Sequence, residues 1–228
     1  MTTALILIAL YGAYGTFCIR FLLHARQWLE GVRRSTVPGV GRKSGPATLA
    51  CAAADLLLFT RLLRTNGALW IGEWIFHVSL VLVLLRHLRY MLEPVPAWVW
   101  ALQPWGLAAG YLLPFALAYI LTIRIATTQE LYSSRRNLVL LAALFLIGLS
   151  GVLMHALRKP DLVGIKAFMM GMVTFSPAPW PGGLLLTLHV ILAIAIVPIL
   201  PTHIFIAPVT IMEARMRDDG LHGVLHGR

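Results

Sequence analysis

Charged residues are scarce in this sequence. Lysine, arginine, aspartate and glutamate make up only 12% of its 228 residues, whereas 59% are hydrophobic. A soluble domain carries about 25% charged and about 45–50% apolar residues, so this composition excludes a water-soluble globule. A helix crosses a bilayer with about 20 mostly apolar residues, and the chain has room for about five such stretches. The sequence therefore predicts an all-α integral membrane bundle, with residues 1–228 forming one membrane domain.

Acidic residues and cysteines are also few. Nine aspartates and glutamates stand against 19 lysines and arginines, which gives a formal net charge of +10. The basic residues lie between hydrophobic runs and form no basic domain interleaved with aromatics, so they indicate membrane topology and not nucleic-acid binding. Cys18 and Cys51 have no CxxC or metal-ligand spacing, which excludes an iron–sulfur site or a disulfide framework here. Any iron–sulfur chemistry must belong to a partner.

Hydropathy and charge divide the chain into five predicted spans, at 2–23, 70–92, 105–125, 137–157 and 184–208. The first has no basic region before it and no small-residue cleavage site, so we expect a retained helix and no signal peptide. Basic residues follow the first, third and fifth spans, and the positive-inside rule makes these regions cytoplasmic and the amino terminus external. The apolar stretch at 46–64 contains charged residues and is too short to span, which predicts one amphipathic helix on the cytoplasmic surface. We expect a multi-pass protein of the cell (inner) membrane.

Four histidines lie within only two of these spans. His77 and His87 belong to the second span, and His189 and His203 to the fifth. Ionisable groups are costly in a membrane, so this clustering needs a chemical reason. Ten residues place the first two about 15 Å apart along a helix and about 80° around it, and fourteen place the others about 21 Å and about 40° apart. Because the two spans run antiparallel, one histidine of each comes level near either side of the membrane.

The two opposed pairs suit haem better than a metal ion. One imidazole from each side is an axial set for haem iron, whereas zinc takes three or four ligands at one point. The pattern predicts two haems b as cofactors. The alternative, for any one of these histidines taken alone, is a hydrogen-bonded position in the bundle. Pro198 and Pro201, which lie between the later pair, can kink their helix.

The segments around the four histidines resemble those of a known family. Residues 76–80 and 86–94 are similar to the second span of the gamma subunit of respiratory nitrate reductase. Leu188-His189 and His203-Ile204, with residues 208–210, resemble its last span. The resemblance implies an outer haem held by His87 and His189, with quinol oxidised nearby. It also implies an inner haem held by His77 and His203.

Two further stretches resemble a related group of proteins. The segment from Asp55 to Arg61 and the sequence Gly72-Glu73-Trp74 are similar to the cytochrome b subunits of sulfite-reductase-linked Dsr complexes and of membrane heterodisulfide reductase. The start of the third span, at 103–105, lacks the lysine that the nitrate reductase pattern places near its quinol pocket. The details of the quinol site therefore do not carry over.

Four other residues are candidates for the quinol or haem environment. Arg86 and Arg89 flank His87, where a guanidinium either pairs with a haem propionate or extends to the membrane interface. His155 is a candidate acceptor for a quinol proton, with ordinary interfacial placement as the alternative. Lys166 is a candidate to orient a quinone carbonyl, and a solvated lysine is the alternative.

These features predict a membrane subunit that transfers electrons from menaquinol or ubiquinol to a cytoplasmic iron–sulfur subunit of a respiratory reductase. Such a subunit carries half-reactions, and the terminal chemistry, on a sulfur compound, a heterodisulfide or nitrate, belongs to its partner. Reverse electron flow would use the same parts. The alternative is a haem-free transporter or structural anchor whose histidines relay protons. It predicts carboxylates within the spans, and Glu73 is the only acidic residue in the five.

The topology is testable with fused reporters. We expect a reporter after Arg228 to report the cytoplasm and one inserted in 158–182 to report the outside, because arginines flank alternate spans. Activity of alkaline phosphatase and fluorescence of green fluorescent protein at each position measure this. Both reporters on the same side would contradict five spans and the histidine pairing that follows from them.

Overall fold

The computed structural model describes residues 2–34, 45–126, 135–204, 213–215 and 217. Within these ranges every regular element is a helix, which confirms the predicted all-α fold. Short 3₁₀ turns follow two of the helices, at Leu88–Tyr90 and Val197–Ile199. The helices are α1 Thr2–Arg34, α2 Pro46–Leu57, α3 Thr60–Thr65, α4 Gly67–His87, α5 Ala97–Ala101, α6 Gln103–Ala126, α7 Arg135–Ala156, α8 Leu162–Val173, α9 Leu184–Ile196 and α10 Leu200–Ile204.

Five helical stretches of the described chain are long and apolar enough to cross a membrane, as predicted. Part of the predicted topology lies outside the described residues. This part comprises the end of the fifth span at 208, the tail with Arg228, and three charged loop residues, Arg42, Lys43 and Glu130. The five stretches are Thr2–Glu30, Gly67–Tyr90, Gln103–Ala126, Asn137–Ala156 and Leu184–His203.

The first helix runs further than its hydrophobic segment. We predict a span ending at residue 23 and a loop after it, but α1 continues as a helix to Arg34. The residues beyond the apolar run are mostly good helix formers, and Arg26 Nε donates to Glu30 Oε1 one turn later at 2.8 Å. The charged segment therefore extends the helix past the apolar stretch.

The single amphipathic helix predicted at 46–64 is two helices. α2 ends at Leu57 and α3 begins at Thr60, and Phe59 between them has a left-handed backbone with φ +50°. The Thr60 hydroxyl donates to the carboxylate of Asp55. Short polar side chains that bond locally in this way compete with a continuous helix.

The fifth span is also interrupted. α9 ends at Ile196, the 3₁₀ turn Val197–Ile199 follows, and α10 begins at Leu200. Pro198 and Pro201 explain the break, because proline lacks an N–H and its ring collides with the preceding helical turn. The rotation of about 40° calculated for His189 and His203 on one regular helix therefore does not describe this span.

The chain divides into two compact units, Met1–Gly12 with Ala68–Ile196 and Ala13–Gly67 with Val197–Arg228. The single domain over 1–228 stays a prediction. In the first unit, α7 packs against both α6 and α9. Helix α6 buries residues spaced three or four apart, which is the pattern of one helix face. They are Gly106, Ala109, Leu113, Pro114, Ala116, Leu117 and Ile120.

Within the first unit, the amino end of α1 contacts the segment that follows α8. The Tyr11 hydroxyl donates to the Met172 carbonyl at 2.8 Å, and its ring stacks on Phe175. The Trp180 N–H donates to Thr3 Oγ1 at 3.0 Å. These contacts fix the start of the first span beside the segment that precedes α9.

In the second unit, α1 contacts the proline turn and α10. Arg20 donates to the Pro198 carbonyl at 3.0 Å, and His24 Nε2 bonds to Thr202 Oγ1 at 3.0 Å. His24 is thus half-buried in a helix contact with the residue before His203.

A buried ion pair joins α4 to α6 in the first unit. Arg124 donates to Glu73 Oε1 at 2.8 Å, and Glu73 is only 9% exposed. The helices approach closely here because Gly72 has no side chain. A Cβ at Gly72 would lie 2.8 Å from atoms of Ile120 and Tyr119.

This ion pair predicts the stability of two variants. Arg124→Ala leaves a buried carboxylate without its cation, and we expect it to lower the free energy of unfolding by about 3–5 kcal/mol. The double variant Glu73→Gln/Arg124→Gln removes both charges and should recover much of that loss. Thermal unfolding in detergent measures both, with exposed Arg158→Ala as the control. An equal effect of Arg124→Ala and Arg158→Ala would contradict the role of the pair.

Candidate functional site

Helix α4 presents two histidines in the same hydrogen-bonded state. His77 Nδ1 lies 2.7 Å from the Glu73 carbonyl, and His87 Nδ1 lies 2.7 Å from the Val83 carbonyl. A carbonyl only accepts, so each Nδ1 carries the proton and each Nε2 carries the lone pair. Neutral imidazole in this tautomer is a metal ligand through Nε2.

His189 on α9 reaches the same state through another helix. Its Nδ1 lies 3.1 Å from the Ile147 carbonyl and 2.9 Å from Ser150 Oγ, both on α7. Ser150 is 3% exposed and donates its own hydroxyl proton to Ile147 at 2.8 Å. The Nδ1–H of His189 is therefore shared between two acceptors, and its ring orientation is set by α7.

His87 and His189 both belong to the first unit, and their pairing stays a prediction. His87 is the last residue of α4 and is exposed, while His189 is half-buried. His77 belongs to the first unit and His203, an exposed residue of α10, to the second. The pairing of His77 with His203 stays a prediction.

The charged groups near His77 are a carboxylate and a guanidinium whose charges compensate each other. Glu73 Oε2 lies 3.7 Å from His77 Nδ1, and Glu73 Oε1 bonds to Arg124. Glu73 is thus a buried carboxylate whose charge is compensated. This compensation does not favour a proton relay through Glu73.

The two arginines beside His87 differ in their contacts. Arg89 donates to the Tyr90 hydroxyl and stacks over its ring, 4.6 Å from the centroid. Arg86 is packed against Gly106, and its buried Nε has no hydrogen-bond partner among the described residues. A buried donor without an acceptor is costly, so Arg86 Nε is suited to an anionic group that is not part of the chain.

The other two candidates from the sequence are each bonded to a neighbour. His155 Nδ1 lies 2.8 Å from the Tyr111 hydroxyl. His155 is on α7 and Tyr111 on α6, and both residues are exposed. Lys166 on α8 forms an ion pair with Glu93, and α8 packs against the turn that follows His87. Lys166 is thus not simply solvated.

The donor set fits haem better than a single metal ion. Within the described parts of the chain, no three or more histidine, cysteine, aspartate or glutamate side chains form a group that could hold a metal ion. Imidazoles with Nε2 lone pairs, one of them next to Arg86, would suit the iron of haem b, and the Arg86 Nε, which lacks an acceptor among the described residues, would suit a propionate.

The chain is similar to two archaeal cytochrome b-like subunits. Both are named Hdr-like menaquinol oxidoreductase cytochrome b-like subunit. The protein of Archaeoglobus fulgidus is 31% identical over 119 residues, which cover 47% of this chain and 36% of the relative. The protein of Archaeoglobus profundus is 33% identical over 121 residues, which cover 48% and 36%. The matched region thus spans about a third of each relative's length.

The similarity agrees with the predicted resemblance to heterodisulfide reductase cytochrome b subunits. The resemblance to the nitrate reductase gamma subunit stays a prediction. No protein-family model matches the chain, and no solved structure matches it.

Proposed function

We propose that this chain is a di-haem cytochrome b subunit that passes electrons between membrane quinol and a cytoplasmic iron–sulfur partner. The supporting observation is the hydrogen-bonded state of His77, His87 and His189, whose Nδ1 atoms all donate and whose Nε2 atoms hold the lone pair. The names of the two archaeal relatives support the same class of function. We assign the chain to the wider group of membrane cytochromes that includes the nitrate reductase gamma subunit.

The proposed ligands are His87 with His189 for the outer haem and His77 with His203 for the inner one. Haem b supplies the one-electron redox chemistry, and the protein supplies ligation, orientation and insulation. At His77, His87 and His189 the carbonyl bonds at Nδ1 hold each imidazole in one tautomer and raise its basicity as a ligand. Arg86 is the proposed partner of a propionate.

Haem content tests this assignment. Pyridine haemochrome analysis of the purified chain should give about two haems b, and His87→Ala or His189→Ala should give about one, because each loses an axial ligand. His155→Ala, a histidine not assigned to iron, should keep both. A colourless preparation would contradict the proposal and favour the haem-free alternative. Wild-type content near one would mean that one pair is misassigned.

We place the quinol site at His155 and Tyr111, near the external ends of α7 and α6. Both side chains are exposed on the bundle surface, where a quinol diffusing in the lipid reaches them. In the tautomer in which Nδ1 donates to the Tyr111 oxygen, His155 Nε2 carries the lone pair that takes a quinol proton. Tyr111 then acts as a positioning residue. Lys166, held by Glu93, is proposed to cover the site without being the proton acceptor.

Quinol oxidation by three variants tests the dyad. His155→Gln should slow oxidation of a menaquinol analogue by about 100-fold or more and flatten its pH profile, because the proton acceptor is lost. Tyr111→Phe should have a smaller effect in the same direction. Tyr119→Phe is the matched control, since its hydroxyl bonds to the Ala68 carbonyl on the same helix α6. Equal rates in His155→Gln and wild type would contradict the site.

The partner follows from what the chain lacks. Its two cysteines provide no cluster ligands, so we propose that electrons leave to a separate iron–sulfur subunit on the cytoplasmic side. The terminal substrate is then chosen by that partner. Co-purification in mild detergent, followed by mass spectrometry and iron analysis of the bound protein, identifies it.

A further inference from the structure

The α2–α3 turn in the second unit gathers charged groups around one carboxylate. Asp55 on α2 is 6% exposed and accepts hydrogen bonds from Thr60 and from Arg61, the latter at 3.2 Å. Arg215, from beyond the fifth span, lies 3.9 Å from the same carboxylate. Phe59, with φ +50°, lies between α2 and α3, and α3 begins with the two residues that bond to Asp55.

The cluster is strongly basic although it contains Asp55. Burial by itself raises the pKa of this carboxyl, but the Thr60 and Arg61 hydrogen bonds and the charge of Arg215 lower its pKa below the usual range overall. Among the described residues, three arginines and this one carboxylate line the site. The three arginines and both threonine hydroxyls line one open cavity of about 490 Å³. Its polar lining is Asp55, Thr60, Arg61, Arg64, Thr65 and Arg215.

Chain connectivity places this cavity at the membrane surface. Helix α4, which is long and apolar enough to cross the membrane, begins at Gly67. Arg64 lies three positions before it, so at most about 11 Å of chain separates the two residues. The same two short helices expose large apolar side chains, namely Leu57, Leu58 and Leu63. Exposed leucines beside a basic polar face are the pattern of a segment lying in the lipid interface.

We propose that this basic cavity binds the phosphate headgroup of an anionic membrane lipid. Arginine guanidinium groups are the donors that phosphate oxygens prefer, and the exposed leucines of the same segment would contact the acyl chains of such a lipid. A soluble phosphate compound shares the headgroup chemistry but gains nothing from the leucines. The site does not depend on haem, so its test is separate from that of the electron-transfer proposal.

Lipid titration of the full chain, followed by native mass spectrometry in a neutral detergent, tests the site. We expect wild type to bind phosphatidylglycerol more tightly than phosphatidylcholine. Arg64→Gln should weaken phosphatidylglycerol binding by about fivefold, the effect expected for one basic residue at a lipid surface. Arg64→Lys should keep most of the affinity. Exposed Arg158→Gln, with the same loss of charge at a distant position in the sequence, is the matched control.

Three outcomes would overturn the proposal. One is equal binding of phosphatidylglycerol and phosphatidylcholine by wild type. Another is an equal effect of Arg64→Gln and Arg158→Gln, which would mean that only net charge matters. The third is displacement of the lipid by glycerol phosphate at an equal concentration, which would make the ligand a soluble phosphate compound. Circular dichroism and thermal unfolding check that Arg64→Gln keeps the wild-type fold, so a loss of binding reports on the site.

Discussion

A polar group inside a bilayer finds no water, so it must bond to another part of the protein. In this chain the constraint acts most strongly on α4, which carries Glu73, His77 and His87 within one span. Glu73 is neutralised by Arg124, and both histidines donate Nδ1–H to carbonyls of their own helix. These bonds also leave the lone pair on Nε2. The bonds that make the histidines tolerable in the membrane thus also fix their tautomer.

Hydropathy predicted the five spans because a bilayer accepts only long apolar helices whose backbone bonds are internal. It did not predict where helices end. The apolar run of the first span stops near residue 23, yet the helix continues to Arg34, because helix propensity does not depend on hydropathy. The break at Phe59 depends on the Thr60 bond to Asp55, which local periodicity does not reveal.

For the candidate site, the sequence supplied the histidines but not their partners. Spacing along one helix identifies which residues share a span, whereas partners on other helices depend on how each helix is rotated in the bundle. Arg124, Ser150 and Tyr111 were therefore missed. The sequence did contain a weak signal for Arg124. A carboxylate within a span requires a cation, and few cationic side chains lie at the ends of the spans near Glu73.

The second and fifth spans position their histidines in different ways. Helix α4 is unbroken from His77 to His87, so their separation along it is fixed at about 15 Å by helix geometry. The fifth span is cut by a proline turn, and the spacing of fourteen residues there no longer fixes relative rotation. Each end of that span is held by a neighbour: Ser150 of α7 orients His189, and His24 of α1 bonds to the residue before His203. Because the proline turn interrupts the helix, the span need not obey the helical period that a single rigid helix would impose.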